Sequence, residues 1–167
     1  MHVVEMYIRG ITMILISSCL VGENVRYDGK NKLQPALLKL IETGQARAVC
    51  PEILGGLPIP RNPAEIVGGD GYDVLNHRAR VMDSDGNDVT AMYLSGAQKT
   101  LEQCKAMACK AVILKSDSPS CGSKQIYSGA FNSTKKEGVG VCTALLRQNG
   151  ITVYDEDDYL ALLSHKL

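Results

Sequence analysis

Four short apolar runs alternate with helical patterns along this chain, and that alternation most constrains the fold. Residues 12–17 (Thr-Met-Ile-Leu-Ile-Ser), 46–49, 111–115 and 151–154 read as buried strands. A helix with Pro35 in its first turn carries Leu33, Leu37, Leu40 and Ile41 on one face and stops at Gly44. A longer helix, capped by Asp88 or Thr90, repeats Tyr93, Ala97, Leu101, Cys104 and Ala108. Further helices are expected over 141–148, ending at Gly150, and over 157–163. Strands alternating with helices give parallel β/α units. The expected fold is therefore one α/β domain over 13–167, a Rossmann-like three-layer arrangement with a mainly parallel central sheet between helices. Residues 1–12 are set apart as an N-terminal extension.

The irregular segments are read more coarsely. Residues 51–63 are rich in Gly and Pro and read as a long surface loop. Ala64–Val67 and residues 72–75 flank Gly68-Gly69-Asp70-Gly71 and suggest a hairpin. Residues 83–87 form a turn, and the stretch before Val141 is Ser/Gly-rich.

In a parallel sheet the carboxyl ends of all strands share one edge, where open α/β folds bind ligands. Three cysteines fall just past apolar runs: Cys19 after the first, Cys50 after the second, and Cys121 a short Ser/Pro loop after the third. Singly, each fits a small buried core residue. Jointly they converge, and three thiolates without a fourth suggest a metal or iron–sulfur centre with one open position. Cys104 and Cys109 end a helix that runs back to the opposite edge and are structural. Cys142 shares a face with Leu145 and Leu146 and reads as core, with a fourth ligand as the rival. No C-x-x-C occurs, and His2, His77 and His165 lie far from any cysteine at ligand spacing. Pro51 and Pro119 stiffen two of the ligand loops, and Gly122 is expected to let the backbone crowd a cofactor.

Composition excludes several classes. The 18 basic and 18 acidic residues balance, and no Lys/Arg stripe is interleaved with aromatics, which weakens a nucleic-acid surface. No apolar run approaches the roughly 20 residues that span a bilayer. Residues 1–10 lack the basic and apolar regions of a secretory signal, so reduced thiols and a cytoplasmic location are expected.

The stretches Ile16-Ser17-Ser18-Cys19-Leu20-Val21-Gly22, Cys50-Pro51-Glu52-Ile53-Leu54-Gly55-Gly56-Leu57-Pro58, Arg61-Asn62-Pro63-Ala64-Glu65-Ile66, Ser118-Pro119-Ser120-Cys121-Gly122 and Gly138-Val139-Gly140-Val141-Cys142-Thr143-Ala144-Leu145-Leu146 carry a resemblance across nearly the whole chain. With them the chain resembles a family long labelled a domain of unknown function, whose characterised members are thiouracil desulfidases. The resemblance implies a [4Fe-4S] cluster on Cys19, Cys50 and Cys121, with the fourth iron free for a substrate sulfur. It also implies that Glu52 and Ser118 work beside the cluster. On that basis the expected activity is a non-redox, oxygen-sensitive desulfuration of a small thiolated heterocycle such as thiouracil. Water replaces the sulfur, which leaves as sulfide.

A soft sulfur suits an iron of such a centre, and the attacking water needs proton management. Glu52 is the candidate general acid/base and Ser118 orients water or ring. Arg61, Glu65, Asp117 and Lys124 are secondary candidates. No dinucleotide fingerprint is present: Gly138-Val139-Gly140 lacks the third glycine. A monomer or small homo-oligomer is expected. Two other classes compete: a metal or iron–sulfur module that binds or senses without catalysis, and a thiol enzyme using Cys50 or Cys121 as nucleophile.

Overall fold

The computed structural model describes residues 13–166, so the proposed extension over 1–12 lies outside the described residues. In chain order the elements are β1 (Ile14–Ser17), α1 (Pro35–Glu42), β2 (Ala46–Val49), α2 (Pro51–Leu54), β3 (Ala64–Val67), α3 (Gly71–Leu75), β4 (Arg80–Asp83), α4 (Thr90–Ala106), β5 (Ala111–Ile113), β6 (Gln125–Tyr127), β7 (Lys135–Glu137), α5 (Val141–Gln148), β8 (Thr152–Tyr154) and α6 (Glu156–Lys166). A single 3₁₀ turn, Ser18–Val21, follows β1.

The four expected strands form one parallel sheet in the order β2-β1-β5-β8. All of β1 is buried, as befits a parallel strand covered on both faces. Leu15, Val112 and Val153 point to one side, where they meet Tyr93, Ala97, Leu101 and Cys104 of α4 and Val141, Cys142 and Leu146 of α5. Ile14, Ile16, Ala111 and Ile113 point to the other, against Leu37 and Leu40 of α1 and Tyr159 of α6. The period of two along each strand thus feeds two helix layers. The strand order reverses between β1 and β5, and such a switch point opens a crevice at the carboxyl edge. Among the described residues no helix is long and apolar enough to cross a membrane.

Pro35 opens α1, and the Gly44 N–H reaches the Ile41 carbonyl to stop it. Leu33 lies ahead of the helix and is exposed, so the apolar face reduces to Leu37 and Leu40 with Ile41 half-buried. At α4 the Asp88 carboxylate accepts the Thr90 N–H, whereas the Thr90 hydroxyl is taken by the Val81 N–H. That helix ends at Ala106. Ala108, expected on its buried face, sits beyond it, exposed and at φ +52°.

Three expectations are corrected. Residues 72–75 are not a strand: Asp70 accepts the Tyr72 and Asp73 N–H groups while the Asp73 carboxylate accepts the Asp70 N–H, and this reciprocal cap makes α3. The antiparallel partner of β3 is β4 instead. The loop over 51–63 begins with the helical turn α2, which Pro51 opens at its first position. The Ser/Gly-rich stretch contains the antiparallel ribbon β6–β7, whose mixed exposure and Lys-Lys-Glu strand hide any apolar period.

Candidate functional site

At the carboxyl edge lies a cavity of about 620 Å³. Cys19, Cys50 and Cys121 all line it, as do Glu52 and Ser118. Cys19 comes from the 3₁₀ turn after β1, Cys50 closes β2, and Cys121 comes from the loop beyond β5. Cys104 and Cys109 are buried in the core, away from the cavity, with the Cys109 thiol on the Ala111 carbonyl at 2.9 Å. Cys142 is also off the cavity wall. It is fully buried, meets Thr100, and is pushed up to about 12 chiefly by that burial.

The loop holding Cys121 is fixed by backbone. The first N–H groups of α5 would lack partners within the helix, and they are donated back to this loop: Val141 to the Pro119 carbonyl at 2.8 Å and Cys142 to the Ser120 carbonyl at 2.9 Å. The Thr143 hydroxyl adds a bond to the Cys121 carbonyl at 2.9 Å. Gly140 makes this approach possible, since a Cβ there would stand 2.4 Å from the Ser120 carbonyl carbon. Gly122 serves the same turn rather than a cofactor: its Cβ would meet the Gln125 carbonyl and Ile126 at 2.8 Å.

A second close approach seats Cys50-Pro51-Glu52. A Cβ on Gly96 of α4 would lie 1.9 Å from the Pro51 carbonyl oxygen, and one on Gly55 would lie 2.0 Å from the Met92 carbonyl oxygen. The two helices therefore touch backbone to backbone, bringing Glu52 to Tyr93. The Glu52 Oε1 accepts from the Tyr93 hydroxyl at 2.8 Å and from Arg61 Nε at 3.2 Å. Its Oε2 accepts from the Ser120 hydroxyl at 3.0 Å. Burial, then the Glu52 charge, pushes the Tyr93 phenol well above its usual value, so it remains a donor. Ser118 Oγ accepts the Cys121 N–H at 2.8 Å and lies 3.3 Å from Ser120 Oγ.

The secondary candidates divide. The remaining Arg61 nitrogens bind the Pro58 and Val25 carbonyls, so this guanidinium ties loops together as well as pairing with Glu52. Glu65 accepts the Gly129 and Phe131 N–H groups, and Asp117 pairs with Lys135; both line the cavity. Lys124 does not, being held by Asp155 and Asp158. Tyr93 and Ser120 are the residues that sequence reasoning passed over. A signal existed for Tyr93, because a phenol on a buried helix face needs a partner for its hydroxyl.

The donor set suits a cluster. Burial pushes Cys19 up to about 12, against the opposing pull of Lys115, and raises Cys50 and Cys121 as well. These thiols hold their protons until a metal displaces them. One tetrahedral zinc, about 2.3 Å from each sulfur, would draw them within about 3.8 Å of one another. Among the described residues, the acid and thiol ligand atoms found within 4.8 Å of one another are those of Asp155, Glu156 and Asp157, the first two of which Lys124 and Lys115 already engage. Cys19, Cys50 and Cys121 do not form such a set, so they are spread more widely than one tetrahedral ion asks.

Comparisons with known proteins agree in kind. The family model described as 2-thiouracil desulfurase matches residues 14–158. The Bacillus subtilis (strain 168) protein named uncharacterized protein YbbK is 49% identical over 146 residues, covering 87% of this chain and 97% of its own. A solved structure of the [4Fe-4S]-dependent thiouracil desulfidase TudS is 42% identical with a TM-score of 0.80, covering 93% of this chain and 99% of that one. On the match along its length and in its fold, this chain belongs to the 2-thiouracil desulfurase family, a family of C–S bond-cleaving enzymes.

Proposed function

We propose that this protein holds a [4Fe-4S] cluster on Cys19, Cys50 and Cys121 and removes sulfur from a thiolated heterocycle such as thiouracil. The observation that carries the reading is the shared cavity wall: three thiols and the Glu52 carboxylate face one space, and no other cysteine or histidine among the described residues lines it. Such a cluster would offer a soft, Lewis-acidic iron to the substrate sulfur.

The chain's own residues supply the rest. Glu52 takes a proton from the water that attacks the ring carbon, so C=S and water become C=O and hydrogen sulfide without net redox change. With the Ser120 proton on Glu52, Ser118 donates to Ser120 Oγ and keeps one lone pair beyond the bond it accepts from Cys121, which lets it accept from that water or from a ring N–H. Val25 and Ala64, both half-buried, stand in the cavity wall, and polar contacts on its sheltered side are stronger than in bulk water.

The test is anaerobic reconstitution with iron and sulfide, followed by incubation with 2- and 4-thiouracil. Broad visible absorption and stoichiometric sulfide and uracil support the reading. A loaded cluster that releases no sulfide from any thiolated base would reduce the protein to a binding or sensing module.

A further inference from the structure

Resting on that reading, we infer that Tyr93 is a positioning residue that leaves Glu52 a single acceptor site, on Oε2, with which to handle the water proton. An ionised carboxylate offers about four acceptor sites, two per oxygen. Here Oε1 is filled by the Tyr93 hydroxyl and Arg61 Nε, while Oε2 carries the Ser120 hydroxyl alone. One site remains, on the carboxylate of a residue that lines the cavity.

The three donors come from separate parts of the fold, so the carboxylate cannot rotate without breaking at least one bond. Tyr93 stands on the first turns of α4, and Arg61 is itself anchored on the Val25 and Pro58 carbonyls. Ser120 sits in the loop that α5 grips. Tyr93 is 3% exposed, and its ring packs in the core with Ala97 and Leu101. Tyr93 also borders the cavity, but its hydroxyl proton is committed to Glu52 Oε1 at 2.8 Å.

Tyr93→Phe removes that bond and keeps the ring. Losing a hydrogen bond to a charged group lowers kcat by about tenfold to a hundredfold. KM and the cluster absorption stay within about twofold of wild type. In a Glu52→Gln background, where the carboxylate is already gone, Tyr93→Phe costs less than about twofold more. A crystal structure of the apoprotein Tyr93→Phe variant, which needs no cluster, shows the Glu52 side chain in a second orientation.

Full kcat in Tyr93→Phe overturns the inference. So does a raised KM at constant kcat, which would make Tyr93 a substrate contact. Equal losses in both backgrounds would reduce it to a packing residue. If wild type itself releases no sulfide, the proposed function fails, while the apoprotein structure still reports whether Tyr93 holds Glu52.

Discussion

Gly96→Ala sets two effects against each other, and the structure decides between them. In an isolated helix this change stabilises by about 1 kcal/mol, because alanine loses less backbone freedom. Here the new Cβ would sit 1.9 Å from the Pro51 carbonyl oxygen. An ordinary carbon–oxygen contact is about 3.3 Å, so α2 and α4 must separate by about 1.4 Å. The obstructing atom is backbone, and no side chain can swing away to relieve it. Overpacking of this kind costs about 1–3 kcal/mol, occasionally more. After the propensity gain, a net loss of up to about 2 kcal/mol is expected in urea unfolding followed by circular dichroism. The same displacement draws Glu52 from Tyr93, and a misplacement of about 1 Å can slow turnover by about a hundredfold. Sulfide release from thiouracil by the reconstituted variant measures that loss. A Gly96→Ala protein that is more stable than wild type and fully active would show that the helices do not touch where the structure places them.

Substituting Cys19, Cys50 or Cys121 by Ser abolishes iron retention, whereas Cys104→Ser and Cys142→Ser keep iron at some cost in stability; iron loss from Cys142→Ser would make that residue a ligand. Glu52→Gln retains the cluster absorption and slows sulfide release by about two to four orders of magnitude, the range of a lost general acid/base. Asp88 is held down to about 2 by its hydrogen bonds to Thr90 and then Arg80. Its contribution is complete above the usual carboxylate range and disappears as pH falls from about 4 toward 2. Asp88→Asn therefore flattens the acid limb of an unfolding profile slightly, since an exposed ion pair is worth at most about 1 kcal/mol.

What could be read without coordinates was whatever a long apolar run or a fixed spacing carries. The parallel strands announce themselves because β1 and β5 are buried on both faces, and the convergence of the three cysteines follows from strand direction alone. α3 was opaque because five residues hold too few turns for a helical period; its cap, Asp70 with Asp73, is the feature that defines it. β7 was opaque because an exposed ribbon strand of Lys-Lys-Glu has no buried face. The lock on Glu52 lies furthest from sequence. Tyr93 is 41 residues away, and the two meet through Gly55 and Gly96, which read in sequence only as weak points of a loop and a helix.

The grip of α5 on the loop over 119–122 has a consequence for the life of the molecule. Three of its bonds, from the Val141, Cys142 and Thr143 N–H groups, run from main chain to main chain, so they exist whether or not anything sits between the cysteines. The cost of ordering that loop is met when the chain folds rather than when iron arrives. If the proposed cluster is lost, the loop bearing Cys121 therefore keeps its shape. Rebuilding the proposed centre would then meet at least this one wall already formed, without the chain having to refold there.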